Sequence, residues 1–177
     1  VLLPIGISFY TFQIISYTLD VYSGERKPER HFGVFALFVS FFPQLVAGPI
    51  ERSGNLLPQF FEKHEFTYKQ SVQGLRLIFW GLFKKVVIAD NVAGIANAAF
   101  ALEDPNGWQA LLGAYAFAVQ IYCDFSGYTD MAVGSEKILR IRLLLTVNKP
   151  YIACNLQGFW RRWHISLSRW LRDYLYI

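Results

Sequence analysis

"QIYCDFSGYTDMAVG", residues 120–134, sets two carboxylates, Asp124 and Asp130, inside what is otherwise a long apolar helical stretch. Carboxylates at membrane depth are expensive unless they are paired or hydrated. The fold depends on how this stretch pays for them. In one reading, Asp124 or Ser126 caps a helix that restarts after a break at Gly127, and Asp130 pairs with an arginine. In the other, the break borders a cavity and Asp124 holds an arginine or a histidine in place.

The surroundings favour a membrane. Of the 177 residues 54% are apolar and 18% aromatic, with 16 Phe, 10 Tyr and 5 Trp, and a soluble core of this size would struggle to hide so many rings. Moving outward, residues 105–123 and 1–19 are uncharged, and residues 31–50 carry only His31. Each run is close to the roughly 20 residues a helix needs to cross the hydrocarbon core. Pro4 and Gly6 break the first run, and Pro43, Gly48 and Pro49 break the second. Such breaks are tolerated at membrane depth where protein or a water-filled cavity surrounds them.

Residues 71–102 read as helical, with Lys84 and Lys85 at an interface or facing the interior of a bundle. Segments 20–30, 51–70 and 103–108 read as a polar turn, a longer loop and a turn. The expected fold is an all-α polytopic membrane protein, built of kinked and re-entrant transmembrane helices plus amphipathic interfacial helices. Arg26, Lys27 and Arg30 in one loop are matched by Arg52, Lys63 and Lys69 in the next, so the charges assign no orientation.

The net charge of +4 is spread along the chain with acidic neighbours, which argues against a nucleic-acid partner. Cys123 and Cys154 are expected to be free thiols, and no paired Cys or His spacing suggests a metal site. The chain opens without an initiator Met or a signal peptide and stops within an amphipathic pattern. The expectation is an internal piece of a longer protein.

"FWRRWHISLSRWLRDYLYI", residues 159–177, places one histidine inside a block of tryptophans and arginines. On a continuous helix Trp160, Trp163, His164, Leu167, Leu171 and Tyr174 would share one face, with Arg162, Arg169, Arg172 and Asp173 on the other. Periodicity alone suits an amphipathic interfacial helix whose histidine bonds a backbone carbonyl. The sharper alternative is a neutral, buried imidazole that accepts a proton from a hydroxyl group. Ser166 and Ser168 lack the elbow motif of a nucleophile. His31 and His64 lie in polar loops and are expected to be solvated.

Four blocks, residues 2–22, 41–52, 120–134 and 159–177, resemble the middle part of bacterial membrane-bound O-acyltransferases, most of all the alginate O-acetyltransferase type. The resemblance implies a single partial domain over 1–177, lacking the N-terminal helices and a C-terminal part with a second family histidine in a "GLWHG"-like block. It further implies a multi-pass enzyme of the bacterial inner membrane that transfers an acyl group, usually acetyl, to hydroxyls of an exported polysaccharide. This piece alone is expected to be inactive.

By the same resemblance His164 is catalytic; joined to the reading of the residues, Asp124, Arg161, Arg162 and Asp173 are expected to support it. The implied donor is acetyl-CoA or another acyl thioester, with no bound cofactor. The implied partners are the polysaccharide, the bilayer and a periplasmic or secreted acetyltransferase subunit. Alginate, another exopolysaccharide, peptidoglycan and, for D-alanyl transfer, teichoic acid are the acceptors relatives use. One departure is "LLLTVNKPY", residues 143–151, where relatives carry an acidic residue, Asn and Phe ahead of Pro-Tyr. A transporter or flippase, and a membrane scaffold, are the competing readings. The first predicts breaks repeated in two halves, and the sequence shows no internal repeat.

Overall fold

Gly6 adopts a left-handed conformation, φ 80°, and opens α1 (Ile7–Tyr22). The computed structural model describes residues 6–45 and 48–176, so the expected break at Pro4 lies outside the described residues. α1 is inside out by the standards of a soluble helix. Its buried residues are Gln13, Ser16 and Asp20, one face at helical spacing, while Ile15 and Leu19 are exposed. After a polar turn at Gly24 come α2 (Phe32–Ser40) and the short α3 (Phe42–Leu45), so the second apolar run breaks at Phe41, ahead of Pro43. Gln13 and Gln44 tie α1 to this break: both side-chain amides donate to the Phe38 carbonyl, at 2.7 and 2.9 Å.

The expected loop 51–70 contains a helix, α4 (Ser53–Gln59). Leu56 and Leu57 anchor it in a cluster with Phe38, Phe41 and Ile141, and this burial outweighs the turn-forming composition around it. Residues 71–102 are helical as expected: α5 (Tyr68–Leu82), a π-helical segment (Phe83–Ala89) and α6 (Asp90–Phe100). α7 (Gly107–Leu139) follows, started by a reciprocal cap between Asn106 and Gln109.

The break expected at Gly127 is absent, because α7 runs through it without interruption. Gly127 serves packing instead. A Cβ there would lie 2.8 Å from the Gly81 carbonyl of α5, and a Cβ on Gly134 would lie 2.6 Å from that of Gly74. Glycines seven residues apart on each helix therefore let two backbones touch, the small-residue contact common between membrane helices. The carboxylates are ion-paired across the same interface. Asp130 pairs with Lys84 and Asp124 with Lys85, at 2.5 and 2.8 Å, and Lys84 also donates to Ser126. Both lysines lie in the π-helical segment, whose wider turn aims consecutive ammonium groups at α7. Lysine thus takes the place expected for an arginine or histidine.

The described residues form helices and no strand, in line with the all-α expectation. Among them, no helix is long and apolar enough to cross a membrane. α1 to α3 are cut short by Gly6 and Phe41, and α7, though 33 residues long, carries Asp124 and Asp130 in its middle.

Candidate active site

After α7 the chain runs without regular secondary structure from Ile141 to Lys149, the last of these left-handed at φ 45°, then forms a 3-10 turn (Pro150–Ile152), α8 (Leu156–Trp160) and α9 (Ile165–Leu175). The single amphipathic helix expected over 159–177 is broken. Residues 161–164 form a turn in which His164 takes a left-handed conformation, φ 44°. The shared face of Trp160, Trp163 and His164 with Leu167, Leu171 and Tyr174 therefore does not form. Backbone pairing supplies the reason. The segment 141–149 competes for the turn, with Asn148 N–H donating to Arg162 O at 2.9 Å and Ile165 N–H to Thr146 O at 2.8 Å.

That turn delivers the imidazole to a lane of aromatic rings. His164 lies 4.9 Å from the Phe125 ring of α7 and 6.3 Å from Phe9 of α1, centroid to centroid. Phe125 also contacts Trp163. Its Nδ1 is buried without a hydrogen-bond partner. Burial lowers the His164 pKa below its ordinary 6.5, since an apolar surround penalises the cation. Burial therefore favours the neutral imidazole, whose nitrogen can accept a proton.

The supporting residues are divided in space. Asp124 precedes Phe125 in sequence but faces Lys85, so the neighbour of His164 from this block is the phenyl ring. Arg161 ends α8 and lines a cavity of about 530 Å³ with Trp160, Arg169 and Arg172. Arg162 contributes its carbonyl to the Asn148 pairing. Asp173 accepts from Arg52 and Arg172, both at 2.9 Å, and the Arg52 guanidinium lies 4.5 Å over the Tyr174 ring. Tyr174 donates to Asp20 of α1 at 2.6 Å, and the Trp170 indole to Phe12 O. One flank of α9 is thus clamped to α1 and to the residue that opens α4. His31 caps α2 and His64 contacts Gln59 O, both exposed. Cys123 is buried and Cys154 exposed, both free.

Three groups stand out that the sequence reading did not place in the site. Thr146 and Ser166 are buried, and both hydroxyl oxygens lack partners. Like His164 Nδ1 they belong to the paired junction of residues 146 and 164–166. Glu51 is fully buried, accepting from Asn55 and from Leu144 N–H of the segment 141–149. Burial pushes its carboxyl up to about 7. The only sequence signal for it was two prolines and a glycine around an acidic residue. Thr146 sits in the run 143–151, whose departure from the acidic residue of relatives was its only signal.

A model of the membrane-bound O-acyltransferase family matches residues 31–177. Over all 177 residues the chain is 50% identical to the "Probable alginate O-acetylase AlgI" of Azotobacter vinelandii, of which it covers 35%. It is 49% identical to the protein of the same name in Pseudomonas aeruginosa, covering 34% of it. With the peptidoglycan O-acetyltransferase of Helicobacter pylori it shares 43% identity, covering 99% of this chain and 38% of that protein. The chain spans about a third of the length of these curated relatives. The match takes in α2 to α9 and the turn that carries His164, and this chain belongs to the membrane-bound O-acyltransferase family.

Proposed function

We propose that this chain carries part of the active site of a bacterial inner-membrane enzyme that moves an acetyl group from an acyl thioester, such as acetyl-CoA, to a hydroxyl of an exported polysaccharide. The observation behind it is the half-buried His164 imidazole, set beside Phe9 and Phe125 with its Nδ1 buried and unpartnered. The relatives named for alginate point to a polyuronate as the acceptor. Membrane residence is supported by α1, which turns Gln13, Ser16 and Asp20 inward and Ile15 and Leu19 outward, the polarity expected of a helix in lipid. In this setting the spanning units are assembled from short and broken helices, which lie against the rest of the protein.

In the reaction, an imidazole nitrogen of His164 takes the proton of the acceptor hydroxyl. The oxygen attacks the thioester carbonyl, the C–S bond breaks, and the imidazolium returns the proton to the departing thiolate. Water exclusion by the aromatic lane keeps the acyl group from hydrolysis, and holding the reactants in line supplies a large share of the rate.

The test is acetyl-ester content of the secreted polysaccharide from cells making full-length protein, wild type or His164→Gln, at equal membrane level. Loss of ester by 100-fold or more is the expected result, with the acid limb of the wild-type rate profile falling below pH 6.5. Unchanged ester content would remove His164 from the chemistry.

A further inference from the structure

Glu51, two residues ahead of α4, is followed at intervals of four by Asn55 and Gln59 within the helix, a spacing that brings side chains to one face. Leu56 and Leu57 carry the apolar packing of α4. The polar ladder grips backbone instead. The Gln59 side-chain amide accepts from Arg142 N–H at 2.7 Å and donates to Arg142 O at 2.9 Å. One amide thus exchanges both bonds with one residue, as two paired strand residues do. Asn55 donates to the same carbonyl at 3.1 Å and to Glu51 at 2.8 Å, and the other Glu51 oxygen accepts from Leu144 N–H. Three side chains therefore hold residues 142 and 144 in place of a neighbouring strand.

The same backbone continues to the histidine. Thr146 O accepts from Ile165 N–H and Asn148 N–H donates to Arg162 O, so these bonds fall on both sides of His164. Its left-handed backbone, φ 44°, is one that a residue other than glycine keeps only where its surroundings enforce it. Left to local preference, residues 161–164 would join α8 to α9 and carry the imidazole away from Phe9 and Phe125. Residues 146–148 can resist this only if their other end is fixed, because a strap bonded to the turn alone would move with it. Ile141 packs in the cluster with Leu56 and Leu57 and sets the depth of the strap. Directional bonds at 142 and 144 set its register.

We propose that Gln59 and Asn55, together with Glu51, are positioning residues for the transfer reaction: they anchor residues 142–144 so that residues 146–148 hold His164 in its turn against Phe9 and Phe125. The proposal rests on the acyl-transfer reading and adds to it the groups that place its proton acceptor. They act through the backbone of 142–148. Gln59 is half-buried, so Met at this position keeps the length of the side chain and removes only its bonds.

The experiment uses the full-length protein in membranes, with acetyl-CoA and an oligouronate as substrates. Alongside kinetics, carbethoxylation of each histidine by diethyl pyrocarbonate is followed by mass spectrometry, with the exposed His31 as internal control. Gln59→Met is expected to lower kcat about tenfold and leave KM within roughly twofold, the pattern of a misplaced catalytic group and not of lost binding. The labelling rate of His164 should rise about threefold or more, with that of His31 unchanged, as the turn opens more often. Asn55→Ala should act in the same direction. Gln59→Glu keeps the acceptor for Arg142 N–H without the donor, and should recover part of both effects.

The proposal is overturned if KM rises with kcat unchanged, if neither changes, or if His164 labelling stays at the wild-type rate or rises only together with that of His31. The last result would report general loosening of the fold. If Gln59→Met does not reach the membrane, Gln59→Glu decides by the same readings. If wild type acetylates no oligouronate, or His164→Gln keeps full activity, the acyl-transfer reading fails by itself. The labelling contrast between His164 and His31 in the Gln59 variants then sustains or overturns the anchoring of the turn alone.

Discussion

Replacing Glu51 by Gln should change how stability depends on pH. The side chain is fully buried, two residues ahead of α4. Its carboxyl titrates near 7 instead of 4.5 because burial penalises the charge, outweighing the hydrogen bonds from Asn55 and Leu144. At pH below 4.5 both folded and unfolded forms are protonated and the group costs nothing. Between 4.5 and 7 the unfolded chain has lost its proton and the folded one keeps it, so stability falls as pH rises. The difference of pKa corresponds to ~3 kcal/mol, fully lost above pH 7. Gln retains the size and an acceptor oxygen but cannot ionise. The thermal midpoints of full-length wild type and Glu51→Gln, followed by tryptophan fluorescence in detergent, should nearly coincide at pH 4.5 and diverge by pH 7.5, with the variant the more stable. A constant difference across that range, or a larger one at low pH, would refute the assignment of a neutral buried carboxyl.

Other consequences follow from the α5–α7 interface. Gly81→Ala places a methyl group against the Gly127 carbonyl and 2.8 Å from Met131 Cγ, and should cost ~2 kcal/mol or more in unfolding free energy. Gly94→Ala meets nothing within 4 Å in α6 and should instead raise stability by about 0.5–1 kcal/mol. Asp130→Ala strands the Lys84 ammonium, whose side chain is 12% exposed, at a cost of about 3–5 kcal/mol, whereas Lys84→Met with Asp130→Leu should recover most of it. Unfolding in graded denaturant separates these variants, and a double variant no better than Asp130→Ala would deny the pairing.

The parts of this fold that were legible in the sequence are those set by local rules. The helical run 71–102 and the Gly24 turn needed only composition and periodicity. What misled was reading polar and glycine residues as breaks. Gly127 looked like a helix interruption, yet its missing side chain is used by Gly81 across the interface. Asp124 looked free to hold a histidine, yet its cation comes from a π-helical turn more than thirty residues upstream, and nothing in the sequence around Lys84 and Lys85 announces a wider turn. The fate of a charged residue inside an apolar helix is decided by the helix it packs on, which no periodicity reports.

The turn at His164 shows the same dependence on distant partners. Residues 159–177 alone satisfy the pattern of one amphipathic helix, and a left-handed histidine costs roughly 1–3 kcal/mol against it. The helix yields because residues 141–149 supply what it would lose, with Asn148 and Thr146 bonding Arg162 and Ile165 on either side of the histidine. That segment is itself pinned two residues earlier, where Leu144 N–H reaches the Glu51 carboxyl. A buried acid and the imidazole are thus joined through the backbone of residues 144–146. Ionisation of Glu51 acts on the same segment that enforces the His164 geometry. Loss of the Glu51 contact would therefore relax the strained turn as well as the core, a link that neither "FFPQLVAGPIER" nor "FWRRWHISLSRW" reveals when read alone.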